Sequence, residues 1–407
     1  MKNQASFFDN LRMSLEDSIN VSLNSLRAYG EQYRHWCIAY SGGKDSTATV
    51  ALVAWAVRTG QVQAPESLTV LYADTRQELP PLQAGALRLM ATLRSRGINA
   101  QVVLPELDAR YFVYMLGRGV PPPNNMTMRW CTPQIKIEPM HNALTNHACQ
   151  LGFGEMVWNE KYEKFQYQGN GKGKILMLTG VRLGESAARD ARIAVSCSKD
   201  SGECGQGWMQ VQTPEALADT LAPLLHWRLC HVYDWLYFDE RHGYDVTGVA
   251  DVYGEDEVRT GCVGCPLASE DTALNRLLRD PNYQHLRPLT ELRPLYRWLR
   301  EPQNRLRKSA PELRKDGKYS KNAQRLGPIT MPARLIALDK ILDIQQRARV
   351  DLINAEEEAR IRELIALNTW PNKWSGDEVT GAELIDAVRI VGNEVISQPL
   401  LLGKVAA

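Results

Sequence analysis

Hydrophobic residues in the N-terminal half of the chain alternate between strand-like runs and helix-like periodicity. Four short apolar runs predict buried strands: His35–Tyr40, Leu68–Ala73, Ala100–Leu104 and Ile175–Thr179. Helical spacing over residues 1–33, 47–58 and about 79–96 predicts helices before and between the first three strands. Because strands and helices alternate at this interval, we predict an α/β fold with a doubly wound, mostly parallel sheet.

The second half of the chain loses this regularity. Residues from about 195 to 270 show no clear period, whereas the pattern beyond 270 becomes helical again. One helical face there is predicted to carry Leu335, Leu338, Ile341, Leu342 and Ile344. We therefore predict three regions: a nucleotide-type domain over residues 1–195, a cysteine-bearing insert over 196–275, and a basic, helical C-terminal region over 276–407.

Composition excludes several classes of protein. The chain has 407 residues, of which 44% are hydrophobic and 23% are charged, so it is not a mainly disordered chain. Its longest uncharged apolar run, Ala48–Val57, is too short to span a membrane. Eight cysteines are too few for a secreted disulfide scaffold of this size. We expect a soluble, cytoplasmic protein with no membrane partner.

Charge is unevenly distributed along the chain. The net charge is +1, yet the segment Arg287–Arg325 holds 12 Lys and Arg residues against 4 Asp and Glu. Such a segment is typical either of a polyanion-binding surface or of a solvated helical surface. Charge alone leaves both interpretations open.

A short glycine-containing motif lies where the first predicted strand meets the following helix. In Ser41-Gly42-Gly43-Lys44-Asp45-Ser46, the two glycines allow a tight turn with exposed backbone N–H groups. The following helix N-terminus, the serine hydroxyls and the lysine charge all favour a phosphate group. The motif differs from the Walker loop, whose spacing the chain lacks.

The segment Ser41–Ser46 resembles the SGGKDS pyrophosphate loop of the PP-loop ATP pyrophosphatases, which include phosphoadenosine-phosphosulfate reductases and tRNA thiolases. The resemblance implies that Ser41, Gly42, Gly43, Lys44, Asp45 and Ser46 hold the β,γ-pyrophosphate of ATP, with Lys44 and Asp45 acting in catalysis. In such proteins pyrophosphate leaves as AMP is joined to an acceptor oxygen.

Two further segments match the nucleotide side of this family. Asp74 and Thr75, at the end of the second predicted strand, fall where such proteins contact the nucleotide or its Mg²⁺. Gly180-Val181-Arg182 resembles their second nucleotide-side motif. Arg182 is then expected to stabilise charge on the departing pyrophosphate, the alternative being an ordinary ion pair with Glu185.

Two cysteine pairs have the spacing of metal ligands. Cys262-Val263-Gly264-Cys265 is a C-x2-C pair, and Cys197 and Cys204 form a C-x6-C pair. Four thiolates suit either tetrahedral zinc or a 4Fe–4S cluster, and spacing does not choose between them. The arrangement resembles DNA phosphorothioation proteins of the DndC/SspD type, and that resemblance implies a 4Fe–4S cluster; zinc and unliganded thiols remain alternatives.

Cys131 belongs to a different motif. Arg129-Trp130-Cys131-Thr132, followed by Lys136 and Pro139, resembles a stretch of the reductase-like branch of the family. Nearby Arg129 and Lys136 are expected to lower the pKa of the Cys131 thiol. Cys131 is therefore either a sulfur-relay cysteine with a catalytic role or a residue of the pocket wall.

The resemblance implies an ATP-dependent DNA sulfurtransferase of an anti-phage modification system. Its expected partners are DNA, a cysteine desulfurase as sulfur donor and other proteins of the same system. The segment Arg287–Arg325 would bind the DNA backbone, so neutralising Arg305, Arg307 and Lys308 should weaken binding.

Three other functions remain as alternatives. A sulfonucleotide reductase of this family uses a reactive cysteine near its C-terminus, whereas the last cysteine here is Cys265. A tRNA thiolase shares the pyrophosphate loop. A non-catalytic nucleotide-binding scaffold is the third alternative.

Overall fold

A computed structural model describes residues 13–124, 128–185, 187–198, 207–254, 260–314, 316–392 and 394–400. They form two compact units. The first unit comprises the described parts of Met1–Asp74, Pro80–Leu104 and Lys136–Thr260, and the second those of Thr75–Leu79, Pro105–Ile135 and Gly261–Ala407. Within the described ranges, the helices are all too short or too polar to cross a membrane.

The first unit is built on a six-stranded sheet. The strands of this unit are β1 His35–Tyr40, β2 Ser67–Ala73, β3 Asn99–Val103, β4 Gly154–Asn159, β5 Lys164–Gly169, β6 Ile175–Leu178, β7 Trp208–Gln210 and β8 Ala218–Ala222. Strands β4 and β5 form a separate antiparallel hairpin. The sheet order is β3-β2-β1-β6-β8-β7, with every pair parallel except β7–β8. The predicted α/β fold with a mostly parallel sheet is confirmed.

The first unit contains the three predicted helices and four that the sequence analysis did not predict; residues 1–12 of the first predicted helix lie outside the described residues. The helices are α1 Leu15–Gly30, α2 Lys44–Arg58, α3 Pro80–Ser95, α4 Glu138–Gln150, α5 Ala187–Ser198, α6 Leu229–Tyr233 and α7 Thr247–Tyr253. In α2 the alanine-rich stretch from Ser46 to Ala56 is entirely buried. Ile38 of the central strand is also fully buried, opposite Val70 on one side and Leu178 on the other. Burial of both faces of the central strand explains its nearly continuous apolar sequence.

The observed units differ from the three consecutive regions predicted from the sequence. Residues 208–222 supply β7 and β8, which complete the sheet of the first unit, although they were assigned to the cysteine-bearing insert. Residues 105–135 belong to the second unit, where the helical turn Val113–Gly117 packs against helices near the C-terminus. Strand pairing and helix packing between distant segments therefore determine the units, and the order of segments along the chain does not.

The second unit is mainly helical and carries two antiparallel strand pairs. Its elements are α8 Thr272–Leu277, α9 Leu292–Trp298, β9 Arg305–Arg307, β10 Leu326–Ile329, α10 Met331–Ala348, α11 Ala355–Ala366, β11 Ala387–Val391 and β12 Glu394–Gln398. β9 pairs with β10, and β11 pairs with β12. The hairpin of β11 and β12 was missed by the sequence analysis, which assigned this region to helix.

The buried face of α10 differs in part from the predicted face. Leu338, Ile341 and Ile344 are buried as expected, but Leu335 is 41% exposed. Arg334 takes the place beside them and is completely buried. Its guanidinium donates to the backbone carbonyls of Ile329, Gly117 and Thr369, and it stacks on the ring of Trp370.

Candidate nucleotide and thiol sites

The phosphate-loop motif lies at the carboxyl end of the central strand. Gly42 has a φ of 76°. A Cβ at this position would lie 3.5 Å from the ring of Tyr72. The Ser41 and Ser46 hydroxyls lie 3.0 Å apart, and the Ser46 hydroxyl donates to the Gly43 carbonyl. The loop is thus a tight turn closed by its own serines, which leads directly into α2 at Lys44.

Asp45 holds two cations at this loop. Its Oδ1 accepts from Nε of Arg182 at 2.5 Å, and its Oδ2 lies 3.1 Å from the Lys44 ammonium. Lys44 also lies 4.8 Å above the ring of Tyr253. Arg182 is 6% exposed and donates a second hydrogen bond to the Trp227 carbonyl. One carboxylate against two cations leaves a net positive charge, which suits an anionic phosphate.

Arg182 forms an ion pair with Asp45, a residue of the phosphate loop itself. This pair places the Arg182 guanidinium at the loop. Its role in stabilising the departing pyrophosphate stays a prediction.

Gly180 allows β6 to approach the loop closely. A Cβ at this position would lie 2.8 Å from the backbone carbon of Asp45 and 2.9 Å from the backbone nitrogen of Ser46. Such distances are shorter than real side chains tolerate, so a side chain here would displace the loop. Because β1 and β6 are parallel neighbours, their carboxyl ends meet at this point.

Asp74 follows the adjacent strand β2 at the same edge of the sheet. It is 5% exposed, and its carboxylate accepts from Nε2 of Gln83 at 3.0 and 3.2 Å. A carboxylate is a suitable ligand for Mg²⁺. Thr75 is the first residue of the second unit, and its hydroxyl donates to Glu78. Sequence reasoning did not single out Gln83 or Tyr253, because neither lies in a recognisable motif.

Three cysteines of the second unit act electrostatically on the buried Tyr111; we call Cys131, Cys262 and Cys265 the thiol cluster. Burial raises the pKa of Tyr111 well above its ordinary value, and Tyr296 and all three thiols raise it further. Burial likewise raises the pKa of Tyr296, with Cys262 and Cys265 acting in the same direction. The tertiary fold therefore brings Cys131 to the C-x2-C pair, although more than a hundred residues separate them in sequence.

The C-x2-C pair occupies a tight turn. The backbone N–H of Cys265 donates to the Cys262 carbonyl at 3.0 Å. Gly264 has a φ of 62°, and its N–H donates to the Asp271 carboxylate at 3.0 Å. A glycine is required there because a Cβ would lie 2.7 Å from Leu292. This turn aligns two thiol donors, the chemistry that iron–sulfur clusters and zinc share.

Two of the four predicted metal ligands cannot be placed. Cys204 and the side chain of Cys197 lie outside the described residues, so their convergence with Cys262 and Cys265 stays a prediction. In the parts of the chain that the structure describes, no three His, Cys, Asp or Glu side chains stand together at metal-binding distances.

The pKa of the Cys131 thiol is raised in the structure, whereas the sequence analysis expected it to be lowered. Burial raises the pKa of the Cys131 thiol above its ordinary value of 9.0, and Cys265 raises it further. The hydrogen bonds with Thr132 and the charge of Arg129 act in the opposite direction and are outweighed. Cys131 is only 9% exposed, so its surroundings favour the neutral thiol over the thiolate.

Three cations of the basic segment have hydrogen-bond or ion-pair partners within the second unit. Arg305 donates to the Gly327 carbonyl, Arg307 to the Glu383 carbonyl, and Lys308 pairs with Glu378 at 2.7 Å. Burial lowers the pKa of Arg305 to about 10. These three cations, chosen from the sequence as DNA ligands, are used to hold the second unit together.

A phosphate-type loop at the carboxyl ends of a mostly parallel sheet is consistent with the PP-loop class of α/β folds. Residues 35–268, more than half of the chain, match the family model of the phosphoadenosine phosphosulfate reductase domain. The chain belongs to this family. A search of the curated proteins found no match.

Solved structures show distant likenesses. The phosphoadenylyl-sulfate (PAPS) reductase from Candida auris, in a phosphate complex, is 11% identical over 61% of this chain and 96% of its own, with a TM-score of 0.34. The U34-tRNA thiolase NcsA from Methanococcus maripaludis, with its [4Fe-4S] cluster, is 12% identical over 70% of this chain and 79% of its own, with a TM-score of 0.32. The FMN adenylyltransferase from Candida glabrata, with FMN and the ATP analogue AMPCPP, is 12% identical over 55% of this chain and 56% of its own, with a TM-score of 0.29.

Proposed function

We propose that the protein is an ATP-dependent DNA sulfurtransferase that uses its PP-loop to adenylate a DNA backbone phosphate. The observation that carries this proposal is the arrangement of Lys44 and Arg182 about Asp45 at the phosphate loop. The two cations favour the charge that gathers on pyrophosphate as it leaves. Asp74 is the carboxylate proposed to bind the Mg²⁺ that accompanies ATP.

The reaction is written in three steps. An oxygen of the DNA phosphate attacks the α-phosphorus of ATP, and the bond to pyrophosphate breaks. A thiol reductant releases sulfide from a desulfurase persulfide and becomes a disulfide. The sulfide then attacks the adenylated DNA phosphorus, and AMP leaves with the original phosphate oxygen. The product is a phosphorothioate linkage, with one sulfur in place of one oxygen. A cysteine desulfurase and other proteins of an anti-phage modification system are the proposed partners.

The thiol cluster is the proposed site for sulfur handling. Cys262 and Cys265 present two thiols on one turn, and Cys131 lies within electrostatic reach of Cys265. The two thiols of the turn suit a 4Fe–4S cluster, with the two remaining ligands expected from Cys197 and Cys204. When bound, such a cluster would supply sulfur-carrying chemistry beside Cys131.

The proposal is tested by replacing Lys44. DNA from cells that carry the gene and its neighbours is digested and searched for phosphorothioate dinucleotides by mass spectrometry, beside a Lys44→Ala strain. We expect the dinucleotides, and pyrophosphate release by the purified protein, to be lost in Lys44→Ala. Lys172→Ala is the matched control, because Lys172 is an exposed lysine in another glycine-containing segment. Phosphorothioates that persist in the Lys44→Ala strain would refute the role of the loop.

Replacement of the C-x2-C thiols tests the cluster. Cys262→Ser and Cys265→Ser should each lower the iron content and the broad visible absorption of anaerobically purified protein, because each removes one thiolate ligand. Cys230→Ser, at an exposed thiol, should change neither quantity. Iron content that is unaffected by both C-x2-C substitutions would rule out this site.

The family match favours a sulfonucleotide reductase as the second candidate. This alternative predicts sulfite release from phosphoadenosine phosphosulfate in the presence of a thiol reductant, without pyrophosphate release from ATP. Sulfite production by the purified protein, together with DNA free of phosphorothioates, would select it. Thiolated nucleosides in digested tRNA would select a tRNA thiolase.

A further inference from the structure

Two groups of cations in the basic segment Arg287–Arg325 differ in their surroundings. One group makes internal contacts: Arg300 and Arg305 donate to backbone carbonyls, and Arg325 pairs with Glu312 at 2.5 Å. The other group is exposed on the loop that joins β9 to β10 and consists of Arg314, Lys318 and Lys321. The side chains of the second group are more exposed than those of the first, so the second group is the better candidate for a ligand.

The exposed group lines a groove with the β11–β12 hairpin; we call it the loop–hairpin groove. Its cavity has a volume of about 960 Å³. The loop contributes Arg314, Lys318, Tyr319 and Lys321, and β11 contributes Arg389. Among the described residues that line the groove, four are cationic and none is acidic. A concave surface of one charge sign favours an extended polyanion.

Internal hydrogen bonds hold the walls of the groove. The Arg314 N–H donates to the Lys318 carbonyl at 2.8 Å, and the Ser320 N–H donates to the Glu312 carbonyl at 2.8 Å. Gln324 donates to the Asp386 carbonyl at 2.7 Å, which ties the loop to the segment before β11. A groove whose walls are already connected loses less conformational entropy when a ligand binds.

One cation of the groove forms an exposed ion pair. Arg314 pairs with Asp316 at 3.2 Å, and both side chains are about half exposed. Such exposed pairs contribute little to stability, so a phosphate can compete with Asp316 for Arg314 at a small energetic cost. Tyr319, which is partly buried between the cations, offers an aromatic ring to a sugar or a base.

We propose that the loop–hairpin groove binds the sugar–phosphate backbone of the DNA substrate. That the ligand is DNA rests on the proposed function. That it binds in this groove rests on the four cations and Tyr319. Contacts of Lys and Arg with phosphates are independent of base sequence and release counterions. The groove therefore supplies affinity and a strong dependence on salt, and base specificity is not expected from it.

The test compares two sets of substitutions in the full-length protein. The groove variant is Lys318→Gln, Lys321→Gln and Arg389→Gln. The control variant is Lys340→Gln, Arg347→Gln and Arg362→Gln, which removes the same charge from exposed positions of the second unit outside both the groove and the basic segment. Binding to a fluorescently labelled DNA duplex is measured by anisotropy over a range of salt concentrations, and thermal unfolding checks that both variants fold.

We expect the groove variant to bind more weakly and to show a slope of log K against log salt that is shallower by about 2 to 3. The control variant should keep the wild-type slope. A groove variant with the wild-type slope would overturn the groove assignment while leaving the proposed function intact. Wild-type binding to polyglutamate but not to DNA would overturn it in favour of an acidic protein partner. Pyrophosphate release and phosphorothioate formation, measured separately, report failure of the proposed function itself.

Discussion

Single residues at the phosphate loop and in the thiol cluster owe their chemistry to their neighbours. The motif predicts a catalytic role for Asp45. In the structure its carboxylate forms ion pairs with Lys44 and Arg182 at the loop. Cys131 shows the same dependence. Its sequence neighbour Arg129 favours a thiolate, yet burial and Cys265 favour the neutral thiol.

We predict that Cys131 reacts slowly with iodoacetamide at neutral pH. Only the thiolate reacts, and burial raises the pKa of this thiol, so alkylation should accelerate only in alkaline solution. Exposed Cys230 is the internal standard within the same protein. Alkylation of both residues is followed over time by peptide mass spectrometry on iron-free protein. Equal rates at neutral pH would mean that Cys131 is an activated thiolate and that the relay role is favoured.

Helices and strands place residues that no local pattern marks. In α10 the hydrophobic period correctly identifies Leu338 and Ile341, but the residue at the centre of the packing is Arg334. Its guanidinium donates hydrogen bonds to carbonyls of three separate segments. It also lies so close to Gly119, whose φ is 76°, that a Cβ on this glycine would collide with the guanidinium. This arginine therefore fixes the Gly117–Gly119 segment against α10.

We predict that Arg334→Met lowers the free energy of unfolding by about 3 kcal/mol or more, because three buried carbonyls lose their donor. The matched control is Arg347→Gln on the exposed side of the same helix, where Arg347 pairs with Asp343 and Glu291. Its effect on stability should be small, since exposed ion pairs are screened by water. Urea denaturation of both variants measures the difference. Equal stability of Arg334→Met and wild type would contradict the anchoring role.

At the scale of the whole molecule, the two units differ in their buried ionisable groups. Four histidines of the first unit have a depressed pKa: His35, His147, His231 and His242. In each case desolvation by burial is the largest cause. His231 also lies 3.0 Å from the Ser18 hydroxyl, so α1 and α6 are joined through a neutral imidazole.

We predict that the protein loses stability as the pH falls through the ordinary histidine pKa of 6.5. The unfolded chain binds protons at that pH, whereas the folded state resists them because its histidine pKa values are lowered. The stabilisation is therefore complete above this pH and is lost below it, before carboxylates titrate. Thermal unfolding between about pH 7.5 and about pH 5 measures the effect, and His231→Gln should make the dependence shallower. A melting temperature that does not fall in this window would contradict the prediction.

The sequence predicted the elements that have strong local signals. The strands β1, β2, β3 and β6 lie within a residue of their predicted bounds, because buried parallel strands have continuous apolar runs. Strands β7 and β8 were missed, since their short sequences have no clear period. The loop Ser41–Ser46, Asp74 and Gly180 were identified because each occupies the carboxyl end of a predicted strand.

Local chemistry follows from the amino-acid sequence: a turn of the phosphate-binding type after the first strand, a C-x2-C pair and a basic segment. Which of these residues meet depends on the folded chain. It paired Arg182 with Asp45, brought Cys131 to the C-x2-C pair, and divided the basic segment into internal and exposed cations. The physical reason is that a turn or a helix depends on adjacent residues. Burial, ion pairing and pKa depend instead on segments that are distant in sequence and adjacent only in the folded chain.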